Sequence, residues 1–211
     1  MKYIFTFLII LFLAGCSTTQ KAEEELFTVN IKSPSIQVGS FSGQFEKVLG
    51  IGGLRKDDIA VDYYPTEDAV CLQYKNEYVT YHQFWNRSGR EAFISALEKY
   101  KEDYSQRKFG KSSRKTKQNY GTINGYLYWQ LFQYSKLASG SPTIDIGYYF
   151  NNKTPYFTIN QREAYYLDPI SREDNKKSAE ILIYFTRAQA DSIAAVFDQQ
   201  FLRGLSANTE K

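Results

Sequence analysis

The fold is decided by residues 58–85, which read DIAVDYYPTEDAVCLQYKNEYVTYHQFW. Three runs rich in apolar and aromatic residues are separated here by two short polar stretches, residues 65–68 and 75–77. Runs of this length, bounded by Pro, Asp and Asn, are typical of strands joined by turns. The sequence therefore predicts an antiparallel meander of three strands over residues 58–64, 69–74 and 78–85.

Further strands are predicted on both sides of this meander from the same kind of pattern. Before it, residues 26–31 alternate between apolar and polar side chains. After it, Asn124-Gly125 is a hairpin-turn signal, and strands are expected over residues 126–134, 143–150, 156–161 and 179–185. The last of these is the most apolar, so we expect it near the centre of the sheet.

Two amphipathic helices are predicted, each starting at a capping box. In the first box Ser88 precedes Glu91, and in the second Thr186 precedes Gln189. Gly204 is expected to end the second helix as its C-cap. Each helix carries one apolar stripe that would pack on the sheet.

These elements predict an α+β fold. We expect a mainly antiparallel sheet of about 7–8 strands with two amphipathic helices packed on one face. A partly closed β-barrel with helices is the alternative. The elements span residues 26–204 as a single domain, and residues 205–211 are expected to be a frayed polar tail.

The opening residues have the pattern of a secretory signal. Lys2 supplies positive charge, residues 3–13 are apolar except for Thr6, and Ala14 and Gly15 are small. The apolar run is shorter than the roughly 18–20 residues that cross a bilayer. A transmembrane helix is therefore the weaker interpretation.

The motif Leu13-Ala14-Gly15-Cys16 resembles the lipobox of the bacterial lipoprotein class. The resemblance implies that residues 1–15 are a signal peptide cut off before Cys16 and that Cys16 carries the lipid. The alternative is an ordinary signal in which Cys16 stands by chance. Residues 16–25 would be a polar lipidated tether, and Ser17 favours the outer membrane, on its periplasmic or surface face.

Composition excludes several classes of function. The formal net charge of +3 is too small to indicate a nucleic-acid partner. Cys71 is the one thiol left beside Cys16, and its apolar surroundings predict a buried structural thiol, with an intermolecular disulfide as the alternative. Aromatic residues make up 17% of the chain, which favours strands and offers rings for stacking on ligands.

The sequence carries few catalytic constellations. His82 is the single histidine, and no Gly-x-Ser-x-Gly motif is present. Zinc needs about three protein ligands, which one histidine and one free cysteine do not supply. Adjacent acids fall in predicted turns, loops or helix surfaces, at Asp57-Asp58, Glu67-Asp68, Glu102-Asp103 and Glu173-Asp174. We therefore predict no catalytic residue, no metal site and no cofactor.

Tyrosines form the candidate ligand-binding face. Tyr126, Tyr128 and Tyr134 share one face of a predicted strand, and Tyr148 lies in the next strand. If this face is open, its rings are a platform for a ligand; if a helix covers it, they belong to the core.

The sequence thus favours a membrane-anchored bacterial cell-envelope lipoprotein. We expect a non-catalytic binding or envelope-assembly module whose partner is an envelope protein or a glycan. The alternative is an envelope hydrolase with an unrecognised carboxylate pair, which requires a pocket with two converging acids.

Overall fold

The computed structural model describes residues 27–46, 53–109, 117–132, 136–167 and 177–209. These residues form ten strands, three helices and a short 3₁₀ turn at Pro65–Glu67. In chain order the elements are β1 (Ile36–Glu46), β2 (Leu54–Tyr64), β3 (Ala69–Asn76), β4 (Val79–Trp85), α1 (Arg87–Ser105), β5 (Lys117–Asn124), β6 (Tyr126–Leu131), β7 (Ala138–Gly140), β8 (Thr143–Asn151), β9 (Thr154–Gln161), β10 (Ile181–Phe185), α2 (Arg187–Phe197) and α3 (Gln199–Thr209).

All ten strands belong to one antiparallel sheet, in the order β5-β8-β9-β10-β1-β2-β3-β4-β6-β7. The predicted meander is confirmed as β2, β3 and β4, and β10 lies near the middle as expected. The predicted count of about 7–8 strands is too low. β5, the short β7 and most of β1 were not predicted; in β1 and β5, Gly, Ser, Asn and Gln residues interrupt the apolar alternation on which the prediction depended.

A long bent hairpin brings the two ends of the sheet together. The ladder between β5 and β8 ends at Asn124↔Thr143 and resumes between β6 and β7 at Leu127↔Gly140, in unchanged register. At the bend, the Gly125 amide donates to Pro142 O (3.0 Å). The sheet is therefore curled into a half-barrel, which is closer to the alternative of a partly closed barrel.

Gly125 marks this bend and not a hairpin turn, contrary to the prediction from Asn124-Gly125. β5 and β6 are neighbours in the chain but pair with different strands, β8 and β4. A Cβ atom at Gly125 would lie 2.5 Å from Ile144 Cδ1. A larger residue at position 125 would therefore force the end of the Ile144 side chain to move.

The helices differ from the prediction at three of their ends. The first N-cap is Asn86, whose side chain accepts from the Gly89 amide (2.8 Å), and Ser88 lies within α1. The Thr186-Gln189 capping box is confirmed.

The predicted last helix is broken at Asp198, which has an extended backbone and caps α3 through the amides of its first turn. α3 continues past Gly204 to Thr209, so Gly204 is not a C-cap and the predicted frayed tail is largely helical.

The main core lies inside the curl. The helices α1 and α2 pack where β4 and β10 finish, and the ring of Phe93 lies 5.0–5.9 Å from those of Trp85, Phe157 and Phe197. Aromatic pairs at these distances add to the free energy of burying their area. This end of the curl is therefore filled by protein.

A smaller cluster lies on the outer face, where residues 27–31 cover the sheet. Val29 is buried there beside Cys71 and Phe84. Residues 27–31 are not a strand, although the sequence predicted one over 26–31, because their apolar side chains pack on the sheet without joining its ladder. Cys71 is buried, as predicted, and burial raises the pKa of its thiol.

Candidate ligand-binding groove

A groove opens at the end of the curl opposite the helices. It consists of two adjoining cavities, a polar chamber of about 570 Å³ and an apolar chamber of about 410 Å³. Both are lined by Val79, Tyr81, Leu131 and Ala179. The groove lies here because β4, β10 and the turn between β3 and β4 all begin or end at this side. We use "the groove" below for both chambers together.

The apolar chamber is built mainly from side chains of β4, β6 and β7. Trp129 is almost buried, at 8% exposed, and meets the ring of Tyr166 at 6.3 Å, edge to face. Lys136 and Lys177 are its charged lining residues among those described, and Lys177 is paired with Glu163. A mostly apolar wall with a few polar groups is the usual form of a ligand site.

Exposed apolar side chains occur in the segments that line the groove. Tyr78 and Phe132 are 70% and 58% exposed, and their rings lie 5.5 Å apart. The Phe132 amide donates to Tyr78 O (3.0 Å), which fixes the two residues side by side. The segments that line the groove carry six exposed apolar or aromatic residues, which we call the apolar rim: Tyr78, Leu131, Phe132, Leu137, Tyr165 and Leu167. Clustered exposure of this kind marks an interaction site more often than scattered single residues do.

The polar chamber is acidic. Glu46, Glu77 and Glu180 line it, and no Lys or Arg is among its described lining residues. Glu46 accepts a hydrogen bond from the Tyr184 hydroxyl. Burial and this bond raise the pKa of Tyr184. Glu180 accepts from Arg162 (2.7 Å), which also pairs with Asp145 (2.7 Å), so one guanidinium is shared by two carboxylates.

Beneath the groove, a buried polar network connects its floor to the helical end. Tyr81 stacks on Tyr74, with ring centroids 5.5 Å apart. The Tyr74 hydroxyl and Gln83 Nε2 both donate to Gln161 Oε1, at 3.1 and 2.9 Å. Trp85 Nε1 donates to Gln83 Oε1 (3.0 Å). Burial raises the pKa of Tyr81 to about 12, so the floor of the groove is a neutral phenol.

The predicted tyrosine face is divided between two places. Tyr126 and Tyr128 lie together on the outer face, with ring centroids 5.2 Å apart, and the Tyr128 hydroxyl donates to Val29 O (2.8 Å). Tyr148 is buried inside the curl. Tyr134 and the predicted lipidation site, Cys16, lie outside the described residues. Along β8, Ile144, Ile146 and Tyr148 face the inside of the curl, whereas along β6 the inward residues are Leu127 and Trp129, so Tyr148 lies on the opposite face of the sheet from Tyr126 and Tyr128 and a single platform is not formed.

The groove residues themselves were missed by the sequence analysis. Tyr78 begins the predicted strand 78–85 and Phe132 lies within the predicted strand 126–134, so both were interpreted as strand residues. Their signal was weak: two aromatic residues beside turns, which become neighbours only because β4 pairs with β6.

Within the described part of the chain, no group of three or more His, Cys, Asp or Glu residues is placed to hold a metal ion. None of the described helices is long and apolar enough to cross a membrane. His82 lies on β4, and burial lowers the pKa of its imidazole.

The fold and the groove together define an α+β protein with a curled antiparallel sheet and one open, partly apolar end. A family model described as "Uncharacterised Treponema protein" matches residues 18–204, so the chain belongs to this family. The comparison with curated proteins gave no match. The comparison with solved structures gave none either.

Proposed function

We propose that this protein is a membrane-anchored cell-envelope lipoprotein that acts as a non-catalytic binding or assembly module, with the groove as its binding site. The observation that carries the proposal is the apolar chamber with its apolar rim. Fully burying one large apolar side chain contributes about 1.5–3 kcal/mol. Two or three rim residues covered by a partner would therefore supply the centre of a specific interface.

The path of the chain supports this use of the groove in an anchored protein. Residues 27–31 are fixed on the outer face near Tyr126, at the opposite end of β6 from Leu131. The proposed tether, residues 16–25, would thus leave the domain at the end away from the groove. Fully extended, ten residues reach at most about 35 Å. The groove would then face away from the lipid that holds the protein.

Photo-crosslinking tests the proposed site. A photoreactive amino acid is placed at Phe132 in the apolar rim, or at Phe201 on α3, which is also exposed. We expect full-length protein in native envelopes to give a discrete crosslinked product from position 132 alone. Equal products from both positions, or none from 132, would contradict the proposal.

The anchor has its own test. In cells fed labelled palmitate, Cys16→Ser should abolish incorporation of the label, because the lipid would be attached through the Cys16 thiol. Persistent labelling of this variant would refute the lipoprotein assignment without bearing on the groove.

One observation keeps the hydrolase as a second candidate: Glu46 and Glu180 line the same cavity. A hydrolase would release soluble fragments from isolated cell-wall material, and Glu46→Gln or Glu180→Gln would stop the release. We expect no release from the unaltered protein. Release that depends on both carboxylates would replace the binding proposal.

A further inference from the structure

We propose that the polar chamber binds a cationic N–H donor group, an ammonium or a guanidinium, on a ligand whose apolar part occupies the apolar chamber. This deepens the proposed function and rests on it, since it names the chemical class of ligand that the groove would take. Three features of the groove support the proposal: buried side-chain acceptors without a partner among the described residues, an excess of carboxylates, and residues that line both chambers.

The first observation is a buried acceptor without a partner. Asn160 lines the polar chamber and is only 5% exposed. Its Nδ2 donates to Glu180 Oε1 (2.9 Å), which fixes which end of the amide carries the oxygen. Among the described residues, Oδ1 finds no hydrogen-bond partner. Leaving a buried acceptor unpaired costs about 1–3 kcal/mol, so a ligand that donates to it regains this free energy.

A second buried acceptor in this chamber also lacks a hydrogen-bond partner among the described residues. Asn76 ends β3 and lines the same chamber, and its Oδ1 is buried without a partner. Both unpaired side-chain atoms that line this chamber are therefore acceptors. They would be satisfied by a group that offers several N–H donors.

The charges around the chamber select the same kind of group. Of the three carboxylates, Glu180 shares the Arg162 guanidinium with Asp145, while the described residues give Glu46 only a tyrosine hydroxyl and Glu77 no ion pair. Glu77 is exposed on the turn between β3 and β4, at the mouth of the chamber. A cation would thus enter between two uncompensated carboxylates, and hydrogen bonds to charged partners are about twice as strong as neutral ones.

The adjoining apolar chamber determines the rest of the ligand. Val79, Tyr81, Leu131 and Ala179 line both chambers, so the two cavities lie side by side against the same residues. A ligand with its cationic group beside Asn160 would therefore lay its next few carbon atoms against Tyr81 and Leu131. The ring of Tyr81 can also contribute a cation–π contact within about 6 Å.

Three small water-soluble probes test the proposal by calorimetry on the full-length lipidated protein in lipid nanodiscs, with empty nanodiscs as the blank. They are 4-phenylbutylammonium, its trimethylammonium analogue, which lacks N–H donors, and 4-phenylbutyrate, which reverses the charge. We expect the primary ammonium to bind about tenfold more tightly than either of the others. Equal affinity for the three probes, or no saturable binding of the ammonium, would overturn the proposal.

Two variants locate the binding. Glu77→Gln removes one carboxylate at an exposed turn. It should weaken the binding of 4-phenylbutylammonium about fivefold and should not weaken the binding of 4-phenylbutyrate. Glu98→Gln removes the same charge from the exposed face of α1 and should change nothing. Equal effects of the two variants would show a general charge effect and refute the site.

The result also distinguishes this proposal from the proposed function. If all three probes bind equally and Leu131→Ser weakens them alike, the groove binds ligands but the polar chamber does not select cations. If the ammonium is selected, an N-acetylated Phe-Leu-Arg amide identifies the source of the group. Tighter binding of the peptide indicates a basic side chain of a polypeptide, and weaker binding indicates a small amine.

Discussion

Arg90 is the charged side chain that the described fold buries most completely, at 1% exposed. Its guanidinium pairs with Asp68 Oδ1 (2.8 Å) and donates to Gln199 Oε1 (2.6 Å) and to Trp85 O (3.2 Å). One residue thus joins α1, the turn between β2 and β3, and the start of α3. A buried charge is tolerated only when it is paired and hydrogen-bonded in this way.

Replacing Arg90 with Met should therefore lower the free energy of unfolding by about 2–3 kcal/mol, because Asp68 and Gln199 lose a charged partner. Arg87→Met is the matched control, since the exposed pair of Arg87 with Glu91 contributes about 0–1 kcal/mol. Urea denaturation followed by circular dichroism measures both. Equal losses for the two variants would show that the buried network contributes nothing specific.

His82 gives the protein a defined dependence of stability on pH. Burial lowers the pKa of its imidazole below the ordinary value of 6.5. Between the two values the unfolded chain binds more protons than the folded one, so the free energy of unfolding falls as the pH drops through 6.5.

This dependence can be isolated because the chain has a single histidine. We expect His82→Gln to reduce the loss of stability between pH 7 and pH 5.5, measured by urea denaturation at each pH. An NMR titration of the imidazole gives an independent check. A folded-state pKa at or above 6.5 would contradict the placement of His82.

At the scale of the element, the start of α1 shows which of two candidate residues, Asn86 or Ser88, is the N-cap. The Asn86 side chain accepts from the Gly89 amide, while the Ser88 hydroxyl donates to Asn86 Oδ1 (3.0 Å) and caps no amide. Asn, Ser and Thr are all good N-caps, so the sequence alone does not show which of two neighbours is used.

Asn86→Ala should therefore cost about 1 kcal/mol of stability, and Ser88→Ala should cost less than about 0.5 kcal/mol. Thermal and urea denaturation of the two variants compare them directly. A larger loss for Ser88→Ala would restore the capping box at Ser88 that the sequence predicted.

The same scale shows what sequence patterns could predict. β2, β3, β4 and β10 were found because apolar and aromatic residues recur in them between clear turns. β5 was missed because it is a polar segment, held by its pairing with β8 and its packing against α1. The alternation of apolar and polar residues indicates which side chains are buried. It therefore does not detect a polar strand that is held mainly by backbone hydrogen bonds.

At the scale of the whole molecule, one bend determines where ligands could go. The bent hairpin closes the curl, the helices fill one end, and the opposite end stays open as the groove. The sequence predicted the antiparallel sheet and the packed helices. It did not predict the groove, because Tyr78, Leu131 and Ala179 are far apart in the chain and meet only through the order of the strands.

The pairing register explains why the predicted tyrosine face was misplaced. Alternate residues of a strand share a face, and the register is unchanged across the bend, so the even-numbered residues of β6 face outward while those of β8 face inward. Tyr148 therefore lies inside the curl while Tyr126 lies outside it. The binding role is proposed for the exposed aromatic side chains at the open end, Tyr78 and Phe132.

The measurement that tests this account most directly is affinity capture of the full-length protein from mildly solubilised envelopes, with quantitative mass spectrometry and glycan analysis. It compares the unaltered protein with a groove variant, Leu131→Ser with Phe132→Ser, and with the matched control Phe201→Ser on α3. We predict one stoichiometric partner that the control retains and the groove variant loses. A partner that survives in the groove variant would contradict the assignment of the groove as the binding site.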